Sequence, residues 1–370
     1  MSGPRQSGRS EIYIGLMSGT SLDGVDAALV DLRSGPVLLG TAFLPYPADL
    51  KAALLQLQVP SRNELHHASV AGNRLSSLYA RAAIRLLRNC GVEPRLVRAI
   101  GCHGQTVRHL PDSGYTIQLG NPAGLAGRLG IPVVADFRSA DIAAGGQGAP
   151  LVPAFHAAVF RSARVHRVVV NLGGMANLTD LPRKGRVTGF DIGPGNVLLD
   201  GWVRFRLEKE FDRGGAVASR GRPLEPLLKT LLADPYFRRT PPKSTGRDRF
   251  DLAWLRRFRV GRYRTEDVQA TLAELTARSI AGAIRRFCPG AEEVYLCGGG
   301  TRNADLVGRI ARTLPGIAVA STARLGIHAD WVEAMAFAWL AQRRLKGEPG
   351  NLPEVTGAGK ARVLGAVYAA

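Results

Sequence analysis

Acidic residues are scarce in this chain and long apolar runs are missing. Against 49 lysines and arginines stand 30 aspartates and glutamates, a formal charge of +19 over 370 residues. No stretch approaches the ~20 uninterrupted apolar residues of a membrane-spanning helix. The polar start, MSGPRQSGRSE, has no apolar core of a secretory leader. Cysteine is sparse: Cys90, Cys102, Cys288 and Cys297 make no CxxC pair and have no histidine at metal-ligand spacing. That excludes a zinc knuckle and reads as free thiols of a reducing compartment. Aromatics are only 6% and form no stripe interleaved with the bases, and no nucleic-acid module is recognisable. The scattered arginines are therefore read as background composition rather than as a footprint for nucleic acid. No GxxxxGK[ST] loop occurs, so the P-loop architecture is excluded. A soluble, cytoplasmic protein is the expectation.

What is present is glycine, 44 residues of it, gathered in short clusters at 145–148, 173–174, 193–195 and 298–300. Clustered glycine marks backbone loops shaped for close approach. Hydrophobic content of 45% supports buried cores, and at about 150 residues per domain the length suggests two domains.

The spacing predicts a strand EIYIGLM, a polar glycine loop, a second strand VDAALVDL and a third at 37–46, an antiparallel meander. A helix is expected over 66–90, ending at Gly91, and a buried strand over 97–104. YTIQLG and PVVADF flank a helix, read as a strand–helix–strand unit. HRVVVNLGGMANLTDL repeats the opening rhythm of strand, glycine turn, strand, which suggests two related αβ domains. A helix capped by Thr265 is expected over 265–288, a strand at 292–300 running into three glycines, and a helix over 329–345. The last ~20 residues read as a tail.

Tight glycine loops hold phosphate through backbone N–H groups, aided by hydroxyls and helix N-termini. MSGTSLDGVD (17–26), NLGGMANLT (171–179) and LCGGGTRN (296–303) each end an apolar strand and fit that need. Asp191, before Gly-Pro-Gly, suits a general base or a Mg²⁺-positioning group; it could equally cap the turn or the helix that begins near Asn196. His103 lies between glycines, and Asp136, Arg138 and Asp141 precede another glycine cluster. Glu333 reads first as a capping-box partner of Asp330. Lys243, Ser244 and Arg247 could meet an anion or form a solvated loop.

Nearly the whole chain resembles the anhydro-N-acetylmuramic acid kinases of the actin, sugar-kinase and Hsp70 ATPase superfamily. The motifs that carry the resemblance are GLMSGTSLDGVD, GCHGQTV, LGNPAGLA, ADFRSADIAAGGQGAPLVP, NLGGMANLT, GFDIGPGN, PPKSTGRDRF, CGGGTRN and DWVEAMAFAWLA. The resemblance implies an α/β fold: two related αβ domains of the actin-like, ribonuclease H-like type flanking a deep cleft. The expected domains are 1–150, joined by the tail 348–370, and 151–347. It further implies ATP and Mg²⁺ as cofactors, with 1,6-anhydro-N-acetylmuramic acid opened by water and phosphorylated on O6.

Site residues follow from the same resemblance. Asp191 falls on the catalytic base. Gly19, Thr20, Ser21, Leu22, Asp23, Gly24, Val25 and Asp26 form the first phosphate loop, with Asp23 and Asp26 near the metal. Asn171, Gly173 and Gly174 belong to the second loop, and Gly298, Gly299, Gly300 and Asn303 line the nucleotide. Ser18, His103, Arg138, Asp141 and Glu333 hold the sugar, Arg138 being the cation for its lactyl carboxylate. One departure is Ile192, where the family has threonine; loss of a hydroxyl near the phosphates is expected. Small molecules are the expected partners, with no nucleic acid and no membrane, and a homodimer stays open. Another sugar or acid kinase of the superfamily is the alternative enzyme. An ATP-switched, actin-like or chaperone-like protein is the alternative outside that class.

Overall fold

In a computed structural model, which describes residues 11–19, 21–246 and 249–370, the opening run is buried along nearly its whole length. It forms β1 (Ile12–Met17), paired antiparallel with β2 (Gly24–Asp31), which pairs antiparallel with β3 (Val37–Pro45). Next come β4 (Val97–Cys102), β5 (Gln105–Leu110), β6 (Tyr115–Leu119) and β7 (Val133–Ala135). The second half supplies β8 (Arg167–Leu172), β9 (Met175–Leu181), β10 (Thr188–Pro194), β11 (Glu293–Cys297) and β12 (Ala318–Ser321). Near the end of the chain lies β13 (Ala366–Tyr368).

These strands form two main sheets, ordered β13-β7-β4-β1-β2-β3 and β10-β9-β8-β11-β12. Apart from β13, both follow one scheme: a first strand with an antiparallel second and third on one side, and parallel strands on the other. The α/β class expected of two related domains is what is found. The central strand β8, RVVVNL, is buried from Val168 to Leu172, as a largely apolar run requires.

The chain divides into two units: Met1–Ala143 with Glu333–Gly350 and Arg362–Ala370, and Ala144–Val332 with Asn351–Ala361. The first unit's core sets the helix Glu64–Cys90 against its sheet, with Leu75, Tyr79 and Leu86 fully buried. Gly91, in the left-handed region at φ 64°, closes that helix. The second unit's core gathers around the helix Thr265–Phe287 and Trp202, Phe190 and Leu296.

Several expectations are corrected. The helix Val332–Lys346, assigned from sequence to the 151–347 domain, lies from Glu333 onward in the first unit, and 351–361 of the tail lies in the second. Gly15 and Gly101 explain the helix's place. They are neighbours across β1 and β4, and a Cβ on either would come within 1.7 Å of Ala334 O or 1.9 Å of Phe337 O. Only a bare pair of glycines lets the helix backbone rest on the sheet. The tail also contains β13, which pairs antiparallel with β7. β6 does not join the sheet of β7; it forms a separate hairpin with β5. Thr265 is not a cap: Arg264 stands at that position without a side-chain bond, while Thr265 Oγ1 accepts from Arg206 Nε at 3.3 Å. Gly193 does not end its strand, because β10 runs through to Pro194.

Candidate active site

In the first unit the β1–β2 turn, residues 18–23, is held from beneath by buried polar side chains. Ser18 is 1% exposed and its hydroxyl is hydrogen-bonded to Tyr79 OH at 3.0 Å. Gln105, wholly buried, donates Nε2 to Gly19 O at 3.3 Å and accepts from Tyr46 OH at 2.9 Å through Oε1. Leu22 takes the left-handed backbone at φ 58°, buries its side chain and donates its N–H to Gly19 O. Ser21 is half-buried on the turn; Thr20 lies outside the described residues. Gly24, Val25 and Asp26 already belong to β2, with their backbones paired to β3. A Cβ on Gly24 would sit 2.2 Å from Leu44 O, so that glycine serves packing.

Asp23 is exposed, with Lys51 Nζ 4.0 Å away. Asp26 is half-buried and near Tyr46, whose phenol is pushed up to about 12 mainly by burial, with the Asp26 charge contributing. The two carboxylates therefore differ in setting: one at the rim, one beside the buried network.

His103 is 5% exposed and follows β4, where the GCHG glycines let the chain turn. Arg138 donates to its Nε2 from Nε at 3.2 Å and from a terminal nitrogen at 2.8 Å. That makes Nε2 the acceptor and leaves Nδ1–H to donate to Ser18 O at 3.3 Å. Burial, then the Arg138 charge, lowers its pKa to about 3. His103 is thus a neutral spacer between Arg138 and the turn rather than an acid or base. Arg138, expected at a carboxylate, spends two donors on His103. Asp141 is fully buried in the helix Ser139–Ile142, and Glu333 is half-buried in the first turn of its helix. Asp330 gives its carboxylate to Arg302 at 2.6 Å. A cavity of about 270 Å³ opens beside His103, lined also by Thr116, Gln118, Asn121, Asp136 and Ser139.

In the second unit Asp191 sits on β10, half-buried. Its Oδ2 accepts from Thr245 N at 3.0 Å, its N–H donates to Lys243 O at 3.2 Å, and its C=O accepts from Tyr236 OH at 2.7 Å. Ser244, expected near an anion, approaches Gln147 at 3.5 Å, and Arg247 lies outside the described residues. Ile192, one step along the strand, is 1% exposed in the core. This position faces packed apolar side chains.

Gly173 and Gly174 form a tight turn whose carbonyls accept from Gly195, Asn196 and Val197 N–H at 2.9–3.0 Å. Asn303 caps the helix Ala304–Thr313 through Oδ1 on Leu306 N at 3.0 Å. Of the three glycines after β11, Gly298 and Gly300 are pressed against Asn171 and Leu172, while Gly299 faces open space. Asn171 Oδ1 and Thr245 Oγ1 are buried without a hydrogen-bond partner. Orphaned polar atoms are rare in native interiors, and these two stand at the glycine loops and beside Asp191, where a polar ligand would complete them.

Gln105, Tyr46, Tyr79, Tyr236 and Thr245 were not singled out from sequence. Gln105 and Thr245 lie inside quoted motifs, which was the available signal; Tyr79, Tyr46 and Tyr236 reach Ser18, Gln105 and Asp191 respectively only through tertiary packing.

Glycine turns close strands of one topology in both units and a carboxylate is gripped midway along β10, and the family model and the relatives make the chain a phosphotransferase. The chain belongs to the anhydro-N-acetylmuramic acid kinase family, whose model matches residues 11–370. It is 53% identical over 365 residues to the anhydro-N-acetylmuramic acid kinase of Nitrosospira multiformis, covering 98% of this chain and 100% of the relative. The enzymes of the same name from Nitrosomonas europaea and Pseudomonas paraeruginosa are 52% and 50% identical, each covering 97% of this chain and 99% of the relative.

Proposed function

We propose that this kinase opens 1,6-anhydro-N-acetylmuramic acid with water and transfers the γ-phosphoryl group of ATP to its O6. The products are N-acetylmuramic acid 6-phosphate and ADP, a step in cell-wall recycling. The observation that supports it most is the grip on Asp191. A carboxylate held by an amide at 3.0 Å, beside an orphaned hydroxyl, supports the role of general base.

Asp191 takes a proton as water attacks the anomeric carbon from the face opposite O6. The C1–O6 bond breaks as O6 bonds to the γ-phosphorus, and ADP leaves with its bridging oxygen. Base and departing oxygen on opposite faces is the arrangement of inverting glycoside hydrolysis. O6 needs no acid, since its charge passes to the phosphoryl group, and catalysis there is position and electrostatics.

The β1–β2 turn, with Ser21, and Gly299 would present donors to the phosphates. Among the described residues no cluster of three or more metal-ligating side chains gathers. Mg²⁺ needs only one or two carboxylates when phosphates complete its shell, and Asp26 and Asp23 would be the residues to hold it. When bound, Mg²⁺ neutralises charge on the β- and γ-phosphates. Neutral His103, with Arg138 and Glu333, would orient the sugar. Among the described residues no helix is long and apolar enough to cross a membrane, and dependence on ATP supports a cytoplasmic setting.

The test is incubation of the purified protein with MgATP and the anhydro sugar, with products read by mass spectrometry. The expected product is heavier than the sugar by one water and one phosphoryl group. Phosphorylation without water uptake, or turnover only with other sugars or acids, overturns the reading.

A further inference from the structure

A buried lysine needs compensation, because desolvating an ammonium group is costly. Lys243 is 8% exposed, and its Nζ donates to Tyr236 O at 3.3 Å. The same Nζ lies 4.7 Å from the Tyr236 ring centroid, 5.4 Å from that of Phe190 and 6.0 Å from that of Phe287. Such aromatic faces attract a cation.

The cage is tied to Asp191 at every turn. The carbonyl of Lys243 accepts the Asp191 N–H, and the Tyr236 hydroxyl donates to the Asp191 carbonyl. Thr245, two residues on, donates to the Asp191 carboxylate. The segment from 236 to 245 therefore grips Asp191 by main chain and side chain, and Lys243 joins the two ends of that grip.

We propose that Lys243 is a positioning residue for Asp191, its caged ammonium fixing the base through Tyr236 and keeping it ionised by opposite charge. The proposal rests on the reading of Asp191 as the base. Burial, then the guanidinium groups of Arg286 and Arg239, lowers the Lys243 pKa to about 8, while the Asp191 charge opposes the shift. Arg249, 5.4 Å from the Tyr236 ring, is a further cation on the cage. As pH rises through about 8 the ammonium is lost, and with it one positive charge that acts on Asp191.

Two measurements test this. The first is the pH profile of kcat/KM for wild type, Lys243→Met and Lys243→Arg. In Lys243→Met the acid limb moves to higher pH, because removing an opposite charge favours the protonated carboxyl. The alkaline limb near 8 disappears, and kcat falls ~10-fold or more while both KM values stay within about twofold. Lys243→Arg keeps the acid limb and shifts the alkaline limb out of range. A pH-independent loss in Lys243→Met with both limbs in place overturns the proposal, since a merely structural role gives that result.

The second measurement does not need turnover. Lysine is scarce beside arginine in this chain, so the Lys243 signal in protein carrying ¹³C-labelled lysine is assignable by its loss in Lys243→Arg. Its titration is then followed in wild type and in Asp191→Asn. Because coupling is reciprocal, the Lys243 pKa falls in Asp191→Asn by half a unit or more. An unmoved titration overturns the proposal, whether or not the enzyme turns over the anhydro sugar. Inactive wild type with a shifted titration would instead leave the lysine–aspartate pairing standing and remove only the substrate.

Discussion

Apart from β13 the two sheets share one strand order, yet their first turns are built differently. The β1–β2 turn spans residues 18–23 and rests on buried side chains: Tyr79 on Ser18, and Gln105 on Gly19. The β8–β9 turn is only Gly173-Gly174, and its carbonyls are consumed by backbone N–H groups at 195–197. One turn is long and shaped by side chains; the other is short and locked by backbone. Glycine therefore plays different parts in the two turns. In the second it allows packing, since a Cβ on Gly195 would meet Gly173 O at 2.4 Å. In the first, the turn's shape depends on what lies beneath it. Shared topology sets where a turn falls but not whether it is a ligand loop.

The sharpest way to separate the units is to remove chemistry from one without touching either fold. Asp191→Asn keeps the Thr245 amide contact while abolishing basicity. We expect kcat to fall by about 10³–10⁴, with the thermal midpoint within a few degrees of wild type. Steady-state assays and a melt check this; near-normal turnover would sink the base assignment. The converse is Gly15→Ala, which places a methyl 1.7 Å from Ala334 O inside the first unit. A cost of about 3 kcal/mol or more is expected from such overpacking, read as a lowered midpoint. Gly299→Ala in the second unit meets nothing within 4 Å and should melt like wild type. Equal midpoints for the two variants would refute the packing role of the Gly15–Gly101 pair.

A smaller effect tests the support under the long turn. Gln105→Leu leaves Tyr46 OH without its acceptor and Gly19 O with the Leu22 N–H but no side-chain donor. The KM for ATP should rise several-fold, about 1 kcal/mol for a hydrogen bond of this kind, with the KM for the sugar changed less. An unaltered KM for ATP, measured in protein that melts normally, would show that the turn needs no scaffold.

The strand–turn–strand rhythm of both units was legible in the chain, because apolar runs and glycine turns are local signals. Asp191 was legible as a candidate, but not its place midway along a strand that runs on through Gly193 to Pro194. Nor were its partners legible, since Tyr236, Lys243 and Thr245 meet it only across the fold. The allegiance of the helix Val332–Lys346 was hidden for a related reason. Gly15 and Gly101 are visible in the sequence, but their pairing across β1 and β4 is a fact of register. Charge was hidden too: GCHG shows an accessible histidine, whereas the structure buries it against an arginine and leaves it neutral.

That last point gives the weakest and most general comparison, because each unit carries one buried neutral histidine. His103 in the first and His156 in the second are both lowered to about 3 from 6.5, in each case chiefly by burial. His156 Nδ1 meets Thr179 Oγ1 at 2.8 Å, while its Nε2 is buried without a partner. The unfolded chain takes up these protons near pH 6.5 and the folded chain does not until about 3. Stability is therefore full above 6.5 and is lost as pH falls toward 3, by up to about 1.4 kcal/mol per pH unit for each group. His156→Gln removes one of the two and should flatten the acid slope of a denaturant-melt series, even where it lowers stability at neutral pH. Retention of the wild-type slope in that variant would mean that His156 is protonated inside the fold, and that burial in the second unit is looser than in the first.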